Sequence, residues 1–166
     1  MTTTAAILRD RAITILQTVI DGTGVYTNNF TDEPANRVAI GNGDGAPVPS
    51  IRVRIGVPIP GEDGLSLNRI QRSLDLVMVC TTASESGTKA KEDAALDIAQ
   101  DVSLALERMR TWTDAGTSVD IPITGRIRCS IEGVSTTGNR LTVMLTCFIP
   151  YDTTIDLHLH SLEVLY

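Results

Sequence analysis

Apolar residues recur every three and four positions in two segments of the chain, which is the spacing of an amphipathic helix. The first segment spans about residues 4–21, and Gly22 and Gly24 favour a helix end there. The second begins after Thr88, which we expect to cap it. The first apolar stripe comprises Leu8, Ala12, Ile15, Leu16 and Val19. The second comprises Ala95, Ile98, Ala99, Val102, Ala105, Leu106 and Met109.

Alternation of residues between an apolar and a more polar face, which is typical of strands, marks residues 50–59, 69–82, 121–134 and 140–151. The second of these segments is partly apolar on both faces, which predicts a central strand covered on both sides. Residues 135–139 are expected to form a hairpin loop. The tail at 154–166 alternates again and predicts a terminal strand.

Residues 22–50 are rich in glycine, proline and asparagine, which predicts a long, flexible loop region with short extended pieces near 25–30 and 37–40. Within it, the glycine-rich stretch 41–47 is expected to be a mobile loop. The order of the elements predicts an α+β fold, since strands joined by short turns make an antiparallel sheet. We expect a mostly antiparallel sheet of four to five strands, two main helices on one face, a long loop insertion and a C-terminal strand.

The length of 166 residues predicts one domain, spanning residues 1–166. The net charge of −6 argues against tight binding of nucleic acid, which usually needs a basic patch. Apolar runs are too short to cross a membrane, and Met1 leads almost directly into the first helix, so we expect no membrane association and a cytoplasmic origin. Neither a phosphate-binding glycine pattern nor a nucleophile elbow occurs, and we expect no catalytic residue and no cofactor.

Three cysteines, Cys80, Cys129 and Cys147, each fall on the apolar side of their own strand. Their odd number and wide spacing favour neither a disulfide framework nor a zinc site. We interpret them as small hydrophobic core residues.

The two histidines of the chain, His158 and His160, alternate with leucines and share a strand face with Asp156. Three such side chains could coordinate a metal ion. A closed site, however, needs three or four ligands, each oriented by a hydrogen bond with a further residue, and the chain has no other histidine. The simpler interpretations are the solvent-exposed face of a terminal strand, or a surface that contacts a neighbouring subunit. We therefore expect no metal and include these three residues in a candidate interface.

Arg52 and Arg54 lie on the polar side of one strand, and Arg126 and Arg128 on that of another. If these strands pair, the four arginines could form a basic stripe. Charge balance against nearby Asp and Glu is the simpler interpretation, because exposed arginines are common. The alternative is a partner-facing surface, and Arg52 and Arg54 enter the candidate interface on that basis.

The chain resembles the tail terminator family of long-tailed bacteriophages, the minor tail protein U-like group, over about residues 5–150. Leu8, Arg9, Ala12 and Leu16 are similar to the L-R-x-x-A-x-x-x-L pattern of that family's first helix. The segment from Arg72, Leu74, Leu76 and Val77 through Asp97 is similar to its central strand, polar loop and acidic helix.

This resemblance implies a structural virion protein without catalytic residues. It would form a homo-oligomeric, hexameric ring on the last ring of the tail tube, ending tube polymerisation and offering its other face to the head–tail connector. Its partners would be the major tail tube protein and a neck protein. Genomic DNA would pass through the ring without specific binding, since acidic walls repel phosphate. The protein would be assembled in the host cytoplasm and located at the tail–neck junction.

Two other functions remain open from the sequence. One is another neck or head-completion protein of a phage. The other is a small cytoplasmic α+β enzyme that binds a metal through Asp156, His158 and His160.

Overall fold

The computed structural model describes residues 4–19, 33–43, 45–56, 65–66, 69–84, 86–110 and 123–154. The extended piece expected near 25–30 and the terminal strand beyond residue 154 lie outside these ranges. The helices are α1 (Thr4–Val19), α2 (Pro34–Arg37) and α3 (Thr88–Glu107), the last extended by a 3-10 turn at Arg108–Arg110. The strands are β1 (Val38–Ile40), β2 (Ser50–Ile55), β3 (Leu65–Ser66), β4 (Arg69–Ala83), β5 (Arg128–Thr137) and β6 (Arg140–Thr154).

The strands form one sheet in the order β1-β2-β4-β6-β5, and β3 adds a short pairing to β4. Every pairing is antiparallel except that of β1 with β2. The longest ladder joins β4 and β6 from Arg69↔Thr154 to Ala83↔Arg140. The predicted α+β class, the mostly antiparallel sheet and the central position of the second strand are confirmed. The expected cover on both sides of that strand is only partial, because Val79 and Thr81 on the helix-free face are buried but Asp75 and Val77 are half-exposed.

Helices α1 and α3 pack against the same face of the sheet, as their stripes predict. Among the side chains of α1 that the structure describes, those without exposed surface are Leu8, Ala12, Ile15 and Leu16, and Val19 of the predicted stripe lies outside them. These buried residues meet the inward residues of the central strands, of which Leu76, Met78, Leu145 and Cys147 have no exposed surface. Each such leucine contributes roughly 1.5–3 kcal/mol through the apolar surface that it removes from water. This one-sided packing fixes which sheet face stays free of helices.

Two local predictions are wrong. Gly87, not Thr88, occupies the N-cap of α3, with φ of 92° and no side-chain hydrogen bond to the cap. Glycine is favoured there because its missing Cβ permits a left-handed φ. The hairpin between β5 and β6 is also tighter than the expected 135–139 loop, since β5 continues to Thr137 and only Gly138 and Asn139 form the turn. Gly138 has φ of 59°, which suits a two-residue hairpin turn.

Strand β5 begins later than the predicted residue 121, and before it Ile123 makes an isolated bridge to Tyr151. The strand contains a bulge, because Ile131 pairs with Leu145 whereas Gly133 pairs with Met144. Glu132 is therefore an extra residue of β5 that has no partner in the register with β6. The bulge shifts the register by one position, and before it Cys129 and Ile131 pack against the core.

The described residues of the 41–47 stretch pack on the helix-free side of the sheet. Ala46 is buried, and the Arg140 guanidinium donates a hydrogen bond to its carbonyl at 2.9 Å. Gly43, with φ of 92°, passes so close to Val79 that a Cβ on the glycine would lie 3.1 Å from Cγ1 of the valine. The sequence predicts a mobile loop here, but the satisfied carbonyl and the close glycine contact hold the described residues against the sheet.

Candidate interaction surface

The sheet face opposite the helices carries large apolar side chains that remain exposed. Met144 and Phe148 of β6 are 39% and 37% exposed, although both belong to a central strand. Cross-strand register places Val77 beside Thr146 and Asp75 beside Phe148. We call the surface formed by Asp75, Val77, Met144, Thr146 and Phe148 the open face. Exposed aromatic and Met residues of this kind are the side chains that protein interfaces favour.

The open face ends where the 41–47 loop begins. Val79 lies under Gly43 and is only 8% exposed. Beside it, the hydroxyl groups of Ser50 and Thr81 are buried and 2.7 Å apart. These contacts close one end of the sheet surface, and among the described residues no comparable contact covers its other end.

The Arg52 side chain is held in place by hydrogen bonds within the fold. Its guanidinium donates hydrogen bonds to the carbonyl oxygens of Asn36 and Arg37, at 2.8 and 3.1 Å, at the end of α2. Burial lowers the pKa of Arg52 from its usual range. Arg54, two residues on, is exposed and forms no hydrogen bond or ion pair with the described residues. Of these two candidate interface residues, Arg54 is therefore the one available to a partner.

Arg126 and Arg128 are exposed near the opposite side of the sheet. The proposed basic stripe on paired strands is wrong, because β4 and β6 lie between β2 and β5. Strands β2 and β5 are therefore about 14 Å apart, which is three strand spacings of roughly 4.8 Å. Arg54 and Arg128 instead flank the open face from two sides, and Arg128 lies directly opposite Phe148.

A second exposed apolar surface lies on the solvent side of α3. Six exposed residues of α3 and its 3-10 extension follow one another at intervals of four, and they are Thr88, Glu92, Leu96, Gln100, Leu104 and Arg108. Leu96 and Leu104 are each 60% exposed. Residues four apart lie on one side of a helix, so these side chains form a continuous line. We call it the outer ridge. It lies on the side of the molecule opposite the open face, since α3 itself separates the ridge from the sheet.

An open pocket of about 680 Å³ lies beside α3 and the segment leading into β5, and it is lined by Ser103, Glu107, Gly125, Arg126 and Ile127. The Glu107 carboxylate accepts a hydrogen bond from the backbone N–H of Ile127 at 3.2 Å. That bond uses the carboxylate of Glu107, which is the acidic group among the described lining residues, to hold the segment before β5 near the helix.

Asp156, His158 and His160 lie outside the described residues. Within the described part of the chain, no group of three or more His, Cys, Asp or Glu side chains is placed to hold a metal ion. No helix within that part is both long and apolar enough to cross a bilayer.

Two of the three cysteines are core residues as predicted, since Cys80 and Cys147 are fully buried. Cys129 is half-buried, and its Sγ lies 2.7 Å from Sγ of Cys147 on the neighbouring strand. Sequence reasoning missed this contact because it depends on the bulge. The open face was also missed, although Met144 and Phe148 alternate with the predicted core residues of the same strand.

Comparison with protein-family models finds no family that matches this chain, and comparison with curated proteins finds no similar sequence.

Proposed function

We propose that this protein is a structural virion protein that caps a phage tail tube as a ring, ends tube polymerisation and provides the surface for head attachment. The observation that carries the proposal is a pair of unlike, exposed apolar surfaces on opposite sides of the molecule, the open face and the outer ridge. The order of elements on which the resemblance rests, a first helix followed by a central strand and an acidic helix, is the order of α1, β4 and α3 in the structure.

A ring requires a heterologous contact, in which one patch of a subunit meets a different patch of the next. The open face and the outer ridge suit such a contact because both expose large apolar side chains, Met144 and Phe148 on one and Leu96 and Leu104 on the other. Both surfaces also carry charges of both signs. Asp75 belongs to the face that Arg54 and Arg128 flank. Glu92 and Arg108 belong to the ridge, so opposite charges can pair across the contact.

The acidic balance of the chain fits this role. A net charge of −6 per subunit gives a ring of about six copies a strongly negative total charge. Negative walls repel phosphate, so DNA can pass through the opening without being held. Head and tube proteins would meet the two rims of the ring.

Self-association measured by sedimentation velocity, with negative-stain microscopy of the same samples, tests the assembly step. We expect closed rings of the unmodified protein, of about six subunits. Phe148→Ser should weaken association by about 30-fold or more, the effect of losing an interface residue worth ~2 kcal/mol. Leu104→Ser should do the same from the other surface.

Ile40→Ser is the matched control, because Ile40 is 57% exposed but lies on β1, outside both surfaces. It should assemble like the unmodified chain. Equal weakening by all three substitutions would show that the loss reflects general surface polarity and would refute the assigned contact.

Tube capping is tested separately, with the major tail tube protein of the same phage as the second component, if its gene is found near this one. Adding the assembled ring to polymerising tube protein should shorten the tubes and place a ring at one end of each. Unchanged tube lengths together with intact rings would refute the terminator function and favour another ring of the neck.

A further inference from the structure

Two thiols face each other across the hairpin formed by β5 and β6. Cys129 pairs directly with Cys147 in the register, and their sulfur atoms are 2.7 Å apart. Directly opposite residues of antiparallel strands have Cα atoms roughly 4.5–5.5 Å apart, which lies inside the range that a disulfide spans. The backbone is therefore already in position for a covalent bond between the two sulfurs.

The bulge at Glu132 creates this alignment. Beyond the bulge, Gly133 pairs with Met144 and Val134 with Val143, so an uninterrupted ladder would place Cys129 opposite Phe148. The extra residue moves Cys129 by one position, and it meets Cys147 instead. Because bulges interrupt regular pairing and re-aim side chains, the contact depends on a specific local feature of the strand.

The surroundings distinguish the two thiols. Cys129 is half-buried on the edge strand β5, whereas Cys147 on the neighbouring strand β6 is fully buried. The hydrogen bond with Cys147 lowers the pKa of Cys129, and a further hydrogen bond with Ser103 adds to this, although burial opposes it. The same contact with Cys129, together with burial, raises the pKa of Cys147. Cys129 is thus the thiol that ionises more readily, and Ser103 beside it lines the open pocket.

We propose that Cys129 and Cys147 form a redox-active dithiol site that hydrogen peroxide converts to an intramolecular disulfide. The Cys129 thiolate attacks one peroxide oxygen, the O–O bond breaks, and a sulfenic acid forms as hydroxide leaves. The Cys147 sulfur then attacks the Cys129 sulfur, the S–O bond breaks, and the thiol proton leaves with the hydroxyl group as water. Two electrons pass from the pair of sulfurs to the peroxide, and a dithiol reductant reverses the change.

The bond would tie the edge strand to the centre of the sheet. It closes a loop from residue 129 to residue 147, which restricts the unfolded chain. For a loop and a domain of these sizes, we expect oxidation to raise the Tm by about 5–10 °C. The edge strand β5 would be stabilised most against local unfolding, because beyond the bulge its residues are largely exposed.

Peptide mapping tests the proposal directly. Cleavage after lysine and arginine places the three cysteines on separate peptides, with Cys80 on 73–89, Cys129 on 129–140 and Cys147 on 141–166. After brief treatment of the folded protein with peroxide, the second and third peptides should be linked, with an intact mass lower by two hydrogen atoms. The number of free thiols in the denatured chain should fall from three to one.

Cys80→Ala is the matched control, because Cys80 faces Val143, four positions along β6 from Cys147, and is equally buried. It should form the disulfide like the unmodified chain. Cys129→Ser, at the half-buried position, should fold with an unchanged melting curve under reducing conditions and lose both the cross-link and the rise in Tm.

Three results would overturn the proposal. One is retention of three free thiols after treatment that oxidises the isolated hairpin peptides. Another is a cross-link that includes Cys80. The third is accumulation of sulfinic acid at Cys129 while Cys147 stays a free thiol, because a resolving thiol 2.7 Å away should intercept the sulfenic acid first.

Discussion

Replacing Arg52 with alanine should destabilise the fold, whereas the same change at Arg54 should not. The Arg52 guanidinium makes two hydrogen bonds to backbone carbonyls, at 2.8 and 3.1 Å. Hydrogen bonds to a charged group contribute roughly 1.5–3 kcal/mol each when buried. Arg52 is only partly buried, and solvent screening reduces the total to about 1–2 kcal/mol.

For a chain of this size, that loss corresponds to a fall in Tm of about 2–8 °C. Arg54→Ala is the matched control, since it removes the same side chain two residues away on the same strand face. Its free energy of unfolding should change by no more than ~0.5 kcal/mol. Thermal unfolding followed by circular dichroism, together with urea titration, measures both variants. Equal melting temperatures, or a larger loss at Arg54, would refute the assignment of Arg52 to the fold and of Arg54 to the surface.

Further substitutions test the loop, the core and the ridge. Gly43→Ala should lower the free energy of unfolding, measured by urea titration, more than Gly45→Ala does. Both positions have a left-handed φ, but only at Gly43 would a Cβ crowd a neighbour, Val79. Equal losses for the two variants would contradict the loop packing. Leu145→Ala should lower the free energy of unfolding by roughly 2–5 kcal/mol, since its side chain is fully buried. Leu104→Ala should change the free energy of unfolding by no more than ~0.5 kcal/mol. A larger decrease would show that the ridge belongs to the core.

The alternation of apolar residues in β4 and β6 was sufficient to predict both strands, the mostly antiparallel sheet and the central position of β4. Both strands are long and regular, so a period of two is easily recognised. The stripe of α3 was equally clear, because Ile98, Val102 and Leu106 repeat at helical spacing and are all buried. Local periodicity reports which side of an element is buried, and for these elements it was enough.

The candidate surfaces depend on long-range packing that periodicity does not reveal. Arg52 looked like any exposed strand arginine, because its partners on α2 come from fifteen and sixteen residues earlier in the chain. The contact of Cys129 with Cys147 required both a two-residue turn and a bulge. One signal was present in the sequence: apolar residues in β5 change parity between Ile131 and Val134, which is what an extra residue produces.

Mixing two assembly-defective variants would test the heterologous contact most directly. Phe148→Ser retains an intact outer ridge, and Leu104→Ser retains an intact open face, so each lacks one half of the contact. Native mass measurement should find each variant alone largely monomeric and their mixture in one-to-one pairs, while the unmodified protein forms closed rings. A mixture that stays monomeric, or either variant forming full rings alone, would contradict the contact between open face and outer ridge on which the proposed ring rests.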